Sequence, residues 1–253
     1  VSTTLVAGSL NDKRILVTGS SRGIGADTVG YFASAGAKVV VNYRNKAKRA
    51  EQIAQRVTEA GGSALAIGAD LTEHASVQAM VDQVVEAWGG IDVLVLNASG
   101  GMESGMADDY ALRLNRDAQV DVLTTALPHM APGSRVVFVT SHQAHFVETA
   151  ETLPEYLPVA KSKRAGELAL RELLPQLDAA GVEFVVVSGD MIEGTITATL
   201  LERSNPGAIS GRRDSVGKLY NVAEFALEVA QAAVDPIPAD HTRLVGDVSE
   251  FVG

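Results

Sequence analysis

Short runs of apolar, mostly β-branched residues recur at positions 14–17, 38–41, 64–67, 91–96, 135–139, 183–187 and 243–245. Runs this short, bounded by turn residues, predict seven strands. Between them lie longer Ala-rich stretches, 23–34, 46–60, 73–88, 107–130, 159–180 and 221–234, whose apolar positions repeat with helical spacing. Strands that are apolar on both faces and joined by helical crossovers predict an α/β fold: a single-domain, doubly wound parallel sheet of about seven strands with helices on both faces, spanning 1–253. Ligands of such sheets sit beyond the carboxyl ends of the strands. The most irregular stretch is 192–221, where Arg203-Ser-Asn-Pro-Gly207 and Gly211-Arg-Arg213 interrupt the helical pattern. It reads either as a segment that covers a substrate or as a plain surface loop.

Composition narrows the chemistry. The chain has 253 residues, 46% of them hydrophobic, enough for one substantial core. It contains no cysteine, which excludes disulfides, thiolate metal sites and thiol nucleophiles. Twenty-one basic against 31 acidic residues leave a net charge of −10, which argues against nucleic acid and anionic membranes as partners and for a small molecule. No window approaches the ~20 apolar residues that span a bilayer, and positions 1–12 lack a signal pattern, so a cytoplasmic location is expected. The start at Val1, without an initiator Met, points to processing or to trimming of the chain.

Directly after the first strand comes Thr18-Gly-Ser-Ser-Arg-Gly-Ile-Gly25, followed by a helical pattern. Glycines at 19, 23 and 25 permit a tight turn, close approach of a pyrophosphate to the backbone and a helix N-terminus aimed at negative charge. This is the Rossmann-type context for a dinucleotide. The spacing Thr-Gly-x-x-x-Gly-x-Gly resembles the short-chain dehydrogenase/reductase family, and further pieces follow in that family's order. Asp70-Leu71 matches its adenine-binding position, and Asn97-Ala98-Ser99-Gly100 resembles its Asn-Asn-Ala-Gly segment, which stabilises the sheet and lines the cofactor. The resemblance implies cofactor contacts from Gly19, Ser21, Arg22, Gly23, Ile24, Gly25, Asp70, Leu71, Asn97, Ala98 and Ser99. The ending, Gly246 to Gly253, departs from the family pattern. An NAD site wants a carboxylate at the end of the second strand; here stand Asn42-Tyr-Arg44, so Arg44 and Arg22 are expected to pair with the 2′-phosphate of NADP(H).

Members of this family combine Asn, Ser, Tyr and Lys. The phenol acts as acid or base, Ser holds the substrate oxygen, Lys holds the nicotinamide ribose and lowers the phenol's pKa, and Asn supports a relay water. The resemblance places Asn115 in the long fourth helix and Ser141 at the end of the fifth strand. The majority pattern is Tyr-x-x-x-Lys, but Val159 occupies the tyrosine position before Lys163. The nearest tyrosine is Tyr156, seven positions before Lys163, or 7 × ~100°, nearly two turns and therefore the same helix face. Pro158 suits a first helical position and would leave Tyr156 on the extended segment before the helix. Tyr156 and Lys163 complete the expected catalytic set with Asn115 and Ser141.

The Tyr-x6-Lys spacing resembles the divergent enoyl thioester reductases, whereas the glycine segment resembles ketone and 3-oxoacyl reductases. Three functions therefore stay open: reduction of a carbonyl, reduction of an enoyl thioester, and a catalytically degenerate NADP(H) sensor or interaction subunit. Ile192 and Thr195, which also follow the family's order, are expected at the nicotinamide carboxamide, and Lys163 at its ribose. Asp190 and Glu193 would select a polar or cationic substrate or simply solvate the loop. His142 and His145 follow Ser141 and titrate near neutrality, yet no metal spacing surrounds them, and no metal is expected. Lys161, Lys163, Arg164 and Arg171 share a helix and read as a solvated or subunit-facing surface. The resemblance implies a homo-oligomer, dimer or tetramer.

Overall fold

The computed structural model describes residues 4–103 and 105–252. Seven strands, β1 (Arg14–Val17), β2 (Lys38–Tyr43), β3 (Ser63–Gly68), β4 (Val93–Leu96), β5 (Arg135–Ser141), β6 (Glu183–Gly189) and β7 (Thr242–Val245), form one sheet in the order β3-β2-β1-β4-β5-β6-β7. All six pairings are parallel. Strand side chains alternate between faces. Thus Ile15, Val17, Val39, Val41, Val95 and Val137 belong to one core, while Leu16, Val40, Leu94, Leu96, Val136 and Phe138 belong to the other. Both faces being covered is why the strand sequences are continuously apolar.

On the first face lie α1 (Gly23–Ser34), α2 (Ala47–Glu59) and, late in the chain, Val222–Ala232; their Phe32, Ile53 and Phe225 fill that core. The second face is covered by α3 (His74–Trp88) and by a composite helix, α4 (Tyr110–Leu112), a π-helical turn (Arg113–Asp117) and α5 (Ala118–Ala126). A one-turn α6 (His142–His145) precedes α7 (Leu157–Arg171) and α8 (Leu174–Ala180). The expected single helices 107–130 and 159–180 are thus each divided. Pro128 starts a 3-10 turn after α5, and Pro175, in the first turn of α8, cannot continue α7's hydrogen-bond ladder. The stretch expected to be irregular carries two helices, α9 (Ile196–Ser204) and α10 (Ala208–Val216), before α11 (Val222–Ala232). Gly207, at φ +92°, separates them, and the Glu202 carboxylate accepts N–H groups from Gly207 and Ile209 across the break. A third apolar cluster, including Tyr156, Val159, Met191, Ala198 and Leu201, packs α9 onto the carboxyl end of the sheet.

The chain reverses its march across the sheet after β3, returning to lay β4 beside β1. The crevice at that switch point is where a doubly wound sheet takes its ligand. No helix among the described residues is long and apolar enough to cross a membrane.

Candidate active site

The loop after β1 is held by three buried polar residues, Thr18, Ser20 and Asn42, whose hydrogen bonds the motif itself does not specify. Thr18 Oγ1 accepts the N–H groups of Asn97 (3.0 Å) and Ala98 (3.1 Å). Asn42 Oδ1 accepts the N–H of Gly19 at 2.9 Å, and Ser20 Oγ accepts the N–H of Asn42 at 2.9 Å. The sequence clue was a polar residue ending each of two apolar strands, where burial without a partner would be costly. Asn97 Nδ2 donates to the carbonyls of Thr18 (3.0 Å) and Gly19 (3.3 Å), tying β4 to the loop. A Cβ on Gly25 would stand 2.6 Å from Asn97 Nδ2 and 2.8 Å from Ser20 Cα, so only glycine fits. Arg22, the N-cap of α1, gives no side-chain cap, and nothing lies within 4 Å of where a Gly23 Cβ would be. The first N–H groups of α1 therefore face open space, the arrangement that binds a phosphate.

Arg44 is exposed, and its Nη1 donates to the Tyr110 hydroxyl, with the guanidinium 5.5 Å from that ring's centre. Tyr110, 66 residues away, gave no local signal in the sequence. Asp70 Oδ1 accepts from Thr72 N (3.0 Å) and Oγ1 (2.7 Å). Burial pushes its carboxyl up, but those bonds and the charges of Arg44 and Arg113 hold it below the usual carboxylate range. Leu71 is buried in the core beneath.

A cavity of about 670 Å³ opens at the carboxyl end of β4, β5 and β6. It brings together Ser141, Tyr156 and Lys163 with Ile24, Asn97 and Ser99. Ile192 and Thr195 border it from the other side, where Thr195 caps α9 by accepting the N–H of Ala198 at 3.2 Å. Ser141 Oγ and the Tyr156 hydroxyl are 3.2 Å apart. Tyr156 precedes α7 but is not extended: it has helical dihedrals (φ −96°, ψ −17°), its N–H bonds to Leu153 O, and Pro158 is the second helical residue. The turn that starts the helix thus swings the phenol back to Ser141. Burial pushes that phenol up, opposed by the Ser141 hydrogen bond, so it is protonated at neutral pH. Burial also pushes the Lys163 ammonium down to about 8. Val159, in the place expected of a tyrosine, is buried within 3.2 Å of where a Gly101 Cβ would be.

Arg44, Asp70 and Asn115 do not border this cavity. Asn115, 2% exposed, sits in the π-helical turn; its Nδ2 donates to Gly100 O (2.8 Å) and Ser162 Oγ (2.9 Å), and its Oδ1 accepts Gly100 N (3.2 Å). It therefore braces α7 against the loop after β4, one residue from Lys163.

On α7 Lys161 is exposed, but Arg164 and Arg171 turn inward to a buried carboxylate and Lys163 borders the cavity. Glu167, wholly buried, lies within 3.0 Å of Arg164, Arg171 and His145. Burial raises its carboxyl, yet His145 and the two guanidiniums outweigh that and hold it below its ordinary value. Asp190 and Glu193 are likewise neither free nor merely solvated: they pair with Arg212 (2.8 Å) and Arg213 (Nε at 2.9 Å). No group of three or more His, Cys, Asp or Glu among the described residues is placed to hold a metal ion.

His142 is a structural lock. Its Nε2 donates to Val245 O at 3.1 Å, and its Nδ1 accepts from Ser188 Oγ at 2.8 Å, joining β5, β6 and β7. Ser188, buried at the end of β6, thereby has its hydroxyl satisfied. Burial pushes the imidazole down to about 4. Because the unfolded chain binds this proton near ~6.5 and the folded one does not, stability falls as pH drops from 6.5 toward 4. Between pH 7 and 5 this group is expected to cost about 2 kcal/mol. Urea titrations of the parent and of His142→Gln should show that slope in the parent and its loss in the variant.

Similarity to known proteins agrees with this geometry. The short chain dehydrogenase family matches residues 13–205. A short-chain dehydrogenase/reductase of Pestalotiopsis microspora is 30% identical over 194 residues, 74% of this chain and 71% of the relative. The crystal structure of a short chain dehydrogenase from Burkholderia cenocepacia in complex with NADP superposes with a TM-score of 0.74 at 28% identity, covering 88% of this chain and 91% of the other. A blue fluorescent protein from a metagenomic library, in complex with NADPH, gives 0.77 at 29% identity over 96% and 99% of the two chains. With the glycine loop, the switch-point crevice and a match that runs through three quarters of its length, the chain belongs to the short-chain dehydrogenase/reductase family.

Proposed function

We propose that the protein is an NADP(H)-dependent reductase of a carbonyl group, with Tyr156 as proton donor, Ser141 as the group that orients the substrate oxygen, Lys163 as ribose anchor and Asn115 as support of the relay. The observation that carries this is the 3.2 Å approach of the Tyr156 hydroxyl to Ser141 in the cavity that Lys163 also lines. The uncapped start of α1 and the room above Gly23 fit the pyrophosphate of a dinucleotide. A bound reduced nicotinamide supplies the hydride. The residues of this chain do the rest. Ser141 and Tyr156 can both donate to one carbonyl oxygen, polarising it and fixing its carbon in place. The phenol, protonated at neutral pH, then gives its proton to that oxygen as negative charge develops. Lys163, near its own pKa of about 8, favours the phenolate that remains. Asn115 holds α7 in register with the loop after β4, so that Lys163 keeps its place.

Preference for NADP(H) over NAD(H) is supported by the absence of a carboxylate at Asn42-Tyr43-Arg44 and by Arg44 and Arg22 near the loop. The relatives solved with NADP and NADPH point the same way. Following NADPH consumption with 2-tetralone and with neutral N-acetylcysteamine thioesters, one 3-oxoacyl and one 2-enoyl, tests the reading. Turnover of a ketone and not of the enoyl compound is expected. Turnover of the enoyl thioester alone would assign the Tyr-x6-Lys spacing to enoyl reduction instead. Arg44→Ala should raise the KM for NADPH by at least ~10-fold while leaving that for NADH unchanged.

A further inference from the structure

Helix α10, over the cavity, carries two arginines, and both are already neutralised. Arg212 of α10 borders the cavity, with Nε 2.8 Å from Asp190 Oδ2 and Nη1 in close contact with Glu250. Its guanidinium carbon lies 4.8 Å from the centre of the Phe251 ring, and Nη2 is enclosed by protein without a hydrogen-bond partner. Arg213 does not border the cavity and pairs with Glu193. Gln143 donates to Asp190 Oδ1 at 2.7 Å, so this carboxylate is fixed where it meets the arginine. Among the described residues, the charged groups bordering the cavity are Glu151, Asp190 and Glu250 against Lys163 and Arg212, three carboxylates to two cations, a net charge of −1. Lys163 is the one cation there without an ion-pair partner, and it is assigned above to the ribose. Leu153, Met191, Leu201, Phe225 and Phe251 make much of the remaining wall apolar.

We infer that the substrate is an uncharged, largely apolar carbonyl compound, and that the Asp190–Arg212–Glu250 cluster excludes anionic substrates such as oxo-acids. This rests on the reading of the cavity as a carbonyl reductase site and adds its charge selectivity. An anion entering the cavity meets a surplus of negative charge and a guanidinium that already has two counter-ions. In a site of low dielectric that juxtaposition is repulsive. A neutral compound exchanges water for apolar wall and meets no such opposition. The C-terminal segment contributes directly, since Glu250 supplies the second counter-charge and Phe251 the face on which Arg212 rests.

Binding tests this without turnover. Calorimetric titration of the NADPH-loaded protein near neutral pH with 2-tetralol and with tetralin-2-carboxylate compares one carbon frame in neutral and anionic form, neither of which the reduced cofactor can convert. The alcohol is expected to bind at least ~30-fold more tightly. Glu250→Gln removes one negative charge and frees one guanidinium nitrogen, and should shrink that ratio about tenfold by strengthening binding of the carboxylate. Glu193→Gln, whose arginine lies off the cavity, should leave the ratio as in the parent. Equal or tighter binding of the carboxylate by the parent, failure to bind either compound, or a ratio unmoved by Glu250→Gln would each overturn the inference. A failure of the carbonyl-reductase reading looks different: the alcohol binds selectively, and 2-tetralone is never reduced.

Discussion

Tyr156→Phe is expected to lower NADPH-dependent ketone turnover by at least ~10²-fold, the usual scale of a lost general acid, while affinity for the cofactor stays within about twofold. The phenol ring would keep its place in the apolar cluster with Val159 and Met191, and only the hydroxyl that meets Ser141 would go. Stability should therefore change little, which separates chemistry from packing. Steady-state rates, together with a fluorescence titration of NADPH, measure both quantities. A variant as active as the parent would remove Tyr156 from the mechanism. Val159 offers no substitute, because it has no ionisable group and is packed against the Gly101 backbone.

Gly166→Ala should destabilise the protein by about 3–4 kcal/mol, at the upper end for overpacking, because the groups in the way are backbone. A Cβ there would fall 1.9 Å from Asn115 O, 3.0 Å from Asn115 C and 3.3 Å from Arg116 Cα. No rotamer relieves such a contact; α7 or the π-helical turn must move. Either movement disturbs the bonds from Asn115 to Gly100 and Ser162, and with them the position of Lys163. Urea denaturation should report the lost stability. Activity measured at temperatures where the variant remains folded should also fall. A variant with parental stability and rate would show that α7 does not need its close approach to Asn115.

Strands were the most legible part of the chain. Short apolar, mostly β-branched runs bounded by turn residues favour strands over helices, and β1 to β7 lie where those runs stand. The glycine loop was equally plain, since a left-handed Gly19 and a crowded Gly25 are requirements of backbone geometry that sequence records directly. Long-range partners left no such record. Tyr110 under Arg44, Arg212 on Asp190 and His145 on Glu167 pair across distances at which periodicity is silent. The π-helical turn was hidden for another reason: one extra residue in a helical turn barely alters the apolar spacing of 107–130. Tyr156 shows both sides. Its helix face followed from seven residues of rotation, but its backbone conformation depended on the turn begun at Leu153.

The reversal in strand order sets a schedule for synthesis. β1, β2 and β3 can pair as soon as they leave the ribosome, yet the other edge of β1 waits for β4, with Val17 opposite Val95. At the usual ~5–20 residues per second, the intervening seventy-eight residues take roughly 4–16 s. Throughout that interval the nascent chain presents the bare edge of a strand whose Ile15, Leu16 and Val17 are apolar, the kind of surface that templates pairing with the wrong partner. The hydrophobic centre of the finished enzyme is therefore, during its manufacture, the place where it is most open to aggregation.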